Sequence, residues 1–384
     1  MSRSSASSVP APVATLWEKL RTKGIPISFE IELTARCNNN CRHCYINLPA
    51  GDRRALESEL TFRELDRLAT EAVSMGACAC LVTGGEPLLR EDFSEIFTML
   101  KQKGLLVSVF TNATLIDESH VDLFRRYPPR DLEVTVYGAT ERTYEKVTRS
   151  PGSYKAFKKG IGLLHEARIQ TRFKAMLLRS NAHEFTRIAR FCNGFSPQDY
   201  RFDPFLHLRY DRDAKRNREI KAERLSAGEI VTLEKKDPRR FRLLKKNVGR
   251  LIRTTSPGSI QRTLFPCGIG QSSFVMGADG WIRPCAALHH PDFMYDWRRG
   301  NLPDAWNRFI PETINRERDL RSSVDTCITC PLINLCLWCP ALTHLETGCL
   351  DRKVAYFCRV AKARANLILK PTDNLGEEGK LQTD

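Results

Sequence analysis

No apolar stretch comes near the ~20 residues that a helical membrane span requires, although 42% of the 384 residues are hydrophobic. The opening "MSRSSASSVPAPVA" has no apolar core, which excludes a secretory signal. Its Ser/Arg content without acids has a trace of a transit peptide, but residues 1–27 are expected to be a disordered lead-in and 366–384 a flexible tail. There is no internal repeat. With no export signal, the fourteen cysteines do not suggest a disulfide framework; clustered thiols in a reducing, cytoplasmic compartment more often bind metal or do redox chemistry.

Acidic residues are in deficit, leaving a net charge of +15. The excess is local, since residues 209–253 hold sixteen Lys/Arg against seven Asp/Glu. Such a run is usually a solvated helical face; it can also draw an acidic partner, whether peptide, nucleic acid or carboxylated small molecule. Few aromatics interleave with it and no RNA-binding module is recognisable, so nucleic acid ranks last among these.

From 28 to 205, short β-rich runs alternate with amphipathic helical patterns. The runs are "SFEIEL", "CACLVTG", "LLVSVFT", "LEVTVYG", "QTRFKAMLL" and "YRFDPF". The clearest helix follows Thr61, with Phe62, Leu65, Leu68, Ala69, Ala72 and Met75 on one face and a Thr61–Glu64 capping box. Six strand–helix units fall short of a closed eight-fold barrel. The expected fold is therefore α/β, a partial (βα)6 TIM-like barrel with ligands at the C-terminal strand ends. A basic helical connector over 206–264 leads to a small Cys-rich domain over 265–365. Cys78, Cys80 and Cys192 are taken as buried hydrophobes.

The loop after the first strand reads "CNNNCRHCY", placing Cys37, Cys41 and Cys44 at C-x3-C-x2-C. Three soft thiolates suit zinc, copper(I) or iron–sulfur chemistry. A zinc site needs a fourth ligand, for which His43 is poorly placed. A 4Fe–4S cube held by three thiolates leaves one iron open. The C-terminal set comprises Cys267, Cys285, Cys327, Cys330, Cys336, Cys339, Cys349 and Cys358, around the core "CITCPLINLCLWC". Two zinc ribbons would satisfy that arithmetic as well as two clusters.

C-x3-C-x2-C followed by Tyr45 resembles the signature of the radical S-adenosylmethionine (radical SAM) superfamily. That resemblance implies that the amino and carboxylate groups of SAM occupy the open iron. It also implies that reductive cleavage yields a 5′-deoxyadenosyl radical, which takes a hydrogen atom from substrate. "GGEP", Gly84, Gly85, Glu86 and Pro87, resembles the family's SAM-amino motif at the second strand end. "FTNAT" places Asn112 as a SAM-site candidate with Ala113 in place of the usual Gly. In "VTVYGAT", Thr135 keeps a hydroxyl, but Tyr137 stands where many relatives have an acid, so it is expected to shape the substrate pocket.

The C-terminal array resembles the SPASM extension, which implies two auxiliary 4Fe–4S clusters. One would take Cys327, Cys330, Cys336 and Cys358; the other Cys267, Cys285 and Cys339, with either an open iron or Cys349 as the fourth ligand. Ser273 stands where relatives often carry a further cysteine. Ala286 replaces the Asp that sulfatase-maturing relatives use as a base, which speaks against that activity. His289 and His290 lie nearby as candidate proton-exchanging groups, with a solvent-facing loop as the plain alternative.

The resemblance implies an oxidoreductase that modifies a peptide or protein, with a reductase, flavodoxin or ferredoxin as electron donor. Only 27 residues precede the first strand. A separate leader-recognition protein, or the basic stretch acting on an acidic leader, is therefore expected. The alternative substrate class is a small molecule, such as the porphyrins of alternative haem synthesis.

Overall fold

The computed structural model describes residues 24–195, 200–253, 264–265, 267–315, 327 and 329–369. Expectations placed on residues 1–23 and 370–384 lie outside them; residues 366–369, expected to begin a flexible tail, instead complete the helix Ala355–Leu369.

All six anticipated strands form: β1 (Ser28–Glu32), β2 (Ala79–Thr83), β3 (Leu106–Thr111), β4 (Asp131–Val136), β5 (Thr171–Met176) and β6 (Tyr200–Asp203). They pair in chain order and in parallel. Between them run α1 (Phe62–Ser74), α2 (Phe93–Gln102), α3 (Glu118–Arg126), α4 (Glu141–Thr148), α5 (Ser153–Glu166) and α6 (Phe185–Phe195). Strand residues such as Phe29, Ile31, Val82, Val107, Val109, Val134 and Phe173 pack on the helices. Their neighbours, including Glu30, Glu32, Phe110, Glu133, Thr135, Lys174 and Arg201, point to the concave side, since side chains alternate along a strand. At α1 the capping box of Thr61 and Glu64 is present, and Leu65, Leu68, Ala69 and Ala72 are buried.

The sheet does not stop at six strands. β7 (Ser273–Met276) adds to the open edge of β1 in parallel, then β8 (Trp281–Arg283) and β9 (Tyr295–Asp296) follow antiparallel. The order is β9-β8-β7-β1-β2-β3-β4-β5-β6. Phe29 and Phe274 stack across the join at 5.5 Å. The Cys-rich region therefore shares the barrel's sheet. Cys80 and Cys192 are buried, whereas Cys78, just outside β2, is exposed.

The connector is helical as anticipated: α7 (Ala214–Glu223), α8 (Ala227–Lys236) and α9 (Pro238–Lys246). Much of its basic charge is internal. Arg209 bonds Asp211 and the Asn47 carbonyl; Arg216 bonds Glu219 and the Cys41 carbonyl. Arg224 pairs with Glu346 on α10 (Pro340–Thr347). Glu234 receives Arg240 at 2.8 Å and Arg364, from α11 (Ala355–Leu369), at 2.5 Å. These pairs tie barrel, connector and C-terminal helices together.

Candidate functional site

The cysteine loop is held from both sides. Arg36 donates to Glu59 at 2.7 Å and to the Ala50 carbonyl at 2.9 Å. The amides of Asn40 and Arg42 bond the last carbonyls of α4 at 2.9 and 3.0 Å. Cys37 and Cys41 are buried and Cys44 is half-buried. The three are close enough to perturb one another electrostatically, although burial is the larger influence and pushes the Cys37 and Cys41 thiols up. Donors already point at the sulfurs. The Asn39 amide reaches Cys37 Sγ and the Asn47 amide Cys44 Sγ, each at 3.4 Å; Asn112 Nδ2 lies 3.8 Å from Cys37 Sγ. Tyr137 hydrogen-bonds Cys41 through its hydroxyl.

These features fit a cluster. Thiols buried this deeply stay protonated unless a cationic centre holds them as thiolates, and donors to sulfur are the usual outer shell of iron–sulfur sites. No three Cys, His, Asp or Glu side chains among the described residues group tightly enough for a single metal ion. His43 packs against Tyr137 at 5.5 Å and is held neutral by burial, its pKa lowered to about 3.

The Gly-Gly-Glu-Pro turn fits against this loop by backbone. A Cβ on Gly84 would lie 2.3 Å from the Thr34 carbonyl oxygen, and one on Gly85 2.2 Å from that of Arg36. Gly84 also has φ +135°. The amides of Gly85 and Glu86 donate to these carbonyls at 2.7 and 3.0 Å. Glu86 departs from the expectation that its side chain meets SAM. It is fully buried, accepting from the Thr111 hydroxyl and the Asn112 amide, both at 2.7 Å, and the Leu88 amide at 3.2 Å. Glu86 thus braces the ends of β2 and β3, and Pro87 opens a single 3-10 turn behind it. Asn112 Nδ2 also bonds Asn38 at 3.0 Å, and Ala113 sits at φ 60°, the left-handed geometry that glycine favours. Thr135 is half-buried on the concave face, in register with Lys174.

Below the cysteine loop the lumen carries an aromatic stack. Tyr45 meets Tyr210 at 4.7 Å, and Tyr210 lies on His289 at 3.7 Å and 18°. Burial, then the nearby Arg283, lowers the His289 pKa to about 2, and its Nε2 has no partner among the described residues. The expectation of a histidine titrating near neutrality is corrected there: burial holds His289 as the neutral imidazole, with one ring nitrogen a donor and the other an acceptor. His290 turns away, with His344 at 4.8 Å and its Nδ1 accepting from the Asp292 amide. Sequence reasoning missed Tyr210, Arg283 and Glu30. Arg283 is buried against Glu32 at 2.7 Å. Glu30 is raised to about 7, by burial first and Glu32 second. Other lumen cations are paired too: Arg201 with Glu133 at 2.7 Å, Arg172 with Asp131 at 2.8 Å, and Lys174 with Asp203 at 3.9 Å. Cavities of about 500 and about 560 Å³ adjoin at Leu81 and Ser108, the second reaching Cys267 and Cys285.

The C-terminal cysteines fall into two groups. Cys336 has Cys358, Cys327 and Cys330 as electrostatic neighbours, and the four line a cavity of about 110 Å³. Cys339 has Cys285 and Cys267 as neighbours. Burial pushes the Cys336 and Cys339 thiols up to about 11. Cys349 follows α10, its amide bonded to the Thr347 hydroxyl at 3.2 Å, and it does not perturb the thiols of either group whose shifts are resolved.

The family profile "Radical SAM superfamily" matches residues 31–192. An AdoMet-dependent heme synthase of Methanosarcina barkeri is 25% identical over 346 residues, covering 83% of this chain and 92% of that one. The antilisterial bacteriocin subtilosin biosynthesis protein AlbA of Bacillus subtilis is 23% identical over 265 residues, covering 68% of this chain and 55% of its own. Among solved structures, Streptococcus suis SuiB bound to its precursor peptide SuiA superposes with a TM-score of 0.64. The identity is 15%, and 93% of this chain and 83% of that one are covered. The shared fold thus extends through the C-terminal Cys-rich part.

Proposed function

The chain belongs to the radical SAM superfamily through residues 31–192, and on that premise we propose that it modifies a peptide or protein by removing a hydrogen atom within the barrel lumen. Cys37, Cys41 and Cys44 would hold the SAM-binding cluster. The backbone at Gly84 and Gly85, together with Asn112 and Thr135, would face SAM. Cys327, Cys330, Cys336 and Cys358 would hold one auxiliary cluster, and Cys267, Cys285 and Cys339 the other. When bound, cluster and SAM supply a 5′-deoxyadenosyl radical, the hydrogen-abstracting species. The protein's own residues do the rest. Tyr137 and His43 wall the buried thiols from water, and the Tyr45–Tyr210–His289 group offers an aromatic surface to a side chain. His289, kept neutral, offers Nε2 as an acceptor.

The observation that carries the substrate class is the pairing of lumen cations. Arg283, Arg201, Arg172 and Lys174 each face a carboxylate. A tetrapyrrole bearing several propionates needs unpaired cations, whereas a peptide backbone is neutral and needs only hydrogen bonds. A second reading, decarboxylation of such a tetrapyrrole, is favoured by the likeness to the heme synthase across both parts of the chain. The deciding experiment is anaerobic turnover with SAM and a chemical reductant. It compares short peptides encoded beside the gene with an iron-coproporphyrin. Peptide-dependent release of 5′-deoxyadenosine, with hydrogen lost from the peptide, supports the proposal. Release only with the tetrapyrrole, with loss of carbon dioxide, overturns it.

A further inference from the structure

The four-thiol cavity opens through a basic face. Lys353 and Lys362 line it directly, and Cys330, Cys336 and Cys358 are half-exposed. Arg352 and Arg359 are exposed on the segments carrying these residues. The end of the basic connector reaches the same place. The Arg253 amide bonds the Pro331 carbonyl at 2.9 Å, next to Cys330, and Asn334 Nδ2 bonds the Arg250 carbonyl at 2.8 Å. Leu244, Val248, Leu251 and Ile252 fix that segment against Leu335, Ala361 and Ala365. None of these six cations has a carboxylate partner among the described residues. Between 329 and 369 the acids are Glu346, already paired with Arg224, and Asp351. The internal arginines of the connector are spent on structure, whereas Arg250 and Arg253 have no carboxylate partner among the described residues.

We propose that this face docks an acidic one-electron carrier protein, delivering electrons at the four-thiol site. An uncompensated cluster of cations steers and orients an acidic partner, and here it surrounds a thiol group of which Cys330, Cys336 and Cys358 are partly exposed. Each encounter transfers one electron: the reduced carrier loses it, the centre held by Cys327, Cys330, Cys336 and Cys358 gains it, and no bond changes. The inference rests on those thiols holding a cluster. It is independent of whether the substrate is a peptide.

The test uses the reconstituted holoenzyme and an acidic flavodoxin as probe. The variant is Arg250→Glu/Arg253→Glu/Arg352→Glu/Arg359→Glu, which leaves every cysteine and both cavity-lining lysines in place. Affinity for flavodoxin is measured at low and high salt, and reduction by it in stopped flow. The expected result is wild-type binding that weakens with salt, and at least a ~10-fold loss of affinity in the variant with its salt dependence abolished. Iron content and dithionite-driven SAM cleavage are expected to be unchanged. Equal affinity and salt dependence in both proteins would overturn the proposal. So would loss of binding to a polyglutamate peptide with flavodoxin binding intact, which would assign the face to an acidic peptide instead. If the Glu variant loses iron, the corresponding Gln variant is scored by the same measures. A wild-type chain without iron at the four-thiol site would instead fail the cluster reading on which the inference rests.

Discussion

Tyr137 stands where the family resemblance leads one to look for an acid, and its hydroxyl lies against the Cys41 thiol. Nothing in "VTVYGAT" reveals that, because the partner lies 96 residues away in sequence (137 − 41) and is met only in the fold. The consequence is specific. Donors to cluster sulfur stabilise the reduced, more negative state. Tyr137→Phe is therefore expected to lower the midpoint potential of the N-terminal cluster and leave the auxiliary potentials alone, as read by EPR-monitored titration at unchanged iron content. The glycines of the "GGEP" turn were legible as a motif, but their reason is steric. Gly85→Ala sets a Cβ against the Arg36 carbonyl and is expected to cost about 1–3 kcal/mol in chemical denaturation while displacing the cysteine loop. Glu30 was not legible at all, since its environment is set by burial first, then by Glu32 on its own strand and Arg283 brought in on β8. Its carboxyl is held at about 7 against an ordinary 4.5. Between those values the folded chain keeps a proton that the unfolded chain has released. Stability therefore falls as pH rises through that window and levels off above it. Glu30→Gln is expected to flatten this slope in thermal denaturation series between pH 4.5 and 7.

At the scale of elements, the barrel strands were readable because each alternates cleanly and is followed by a helical period. β7 and β8 were not singled out, being four and three residues long in Cys- and Gly-rich sequence. A signal was available: Asp279-Gly280 stands between "SFVM" and "WIR", a hairpin turn with Gly280 at φ 86°. The hairpin matters because it delivers Arg283 to Glu32 and leads directly to Cys285 on the lumen side. The connector was legible as helical and basic, but not in its division between internal and exposed cations. Pairing cannot be read without the partner helix. Glu234 shows this best, fully buried between Arg240 of α9 and Arg364 of α11. Glu234→Ala leaves a buried guanidinium uncompensated and is expected to destabilise the C-terminal half by about 3–5 kcal/mol. Earlier proteolysis within α11 than within the barrel would check where the loss falls.

At the scale of the molecule, one continuous sheet carries the three-cysteine loop at the end of β1 and, through β7 and β8, reaches the auxiliary cysteines. The lumen between them is aromatic on one wall, and Arg283, Arg201, Arg172 and Lys174 within it each face a carboxylate. This arrangement suits radical chemistry, which needs both a dry chamber and nearby redox centres to take up or supply single electrons. On this reading, three separate thiol groups each hold a cluster. That is tested most directly by iron and acid-labile sulfide per chain after anaerobic reconstitution. Wild type is measured beside Cys37/Cys41/Cys44→Ala and Cys327/Cys330/Cys336/Cys358→Ala. The expected result is about twelve irons in wild type and about eight in each variant. About four irons in wild type, falling to none in the first variant and unchanged in the second, would contradict it.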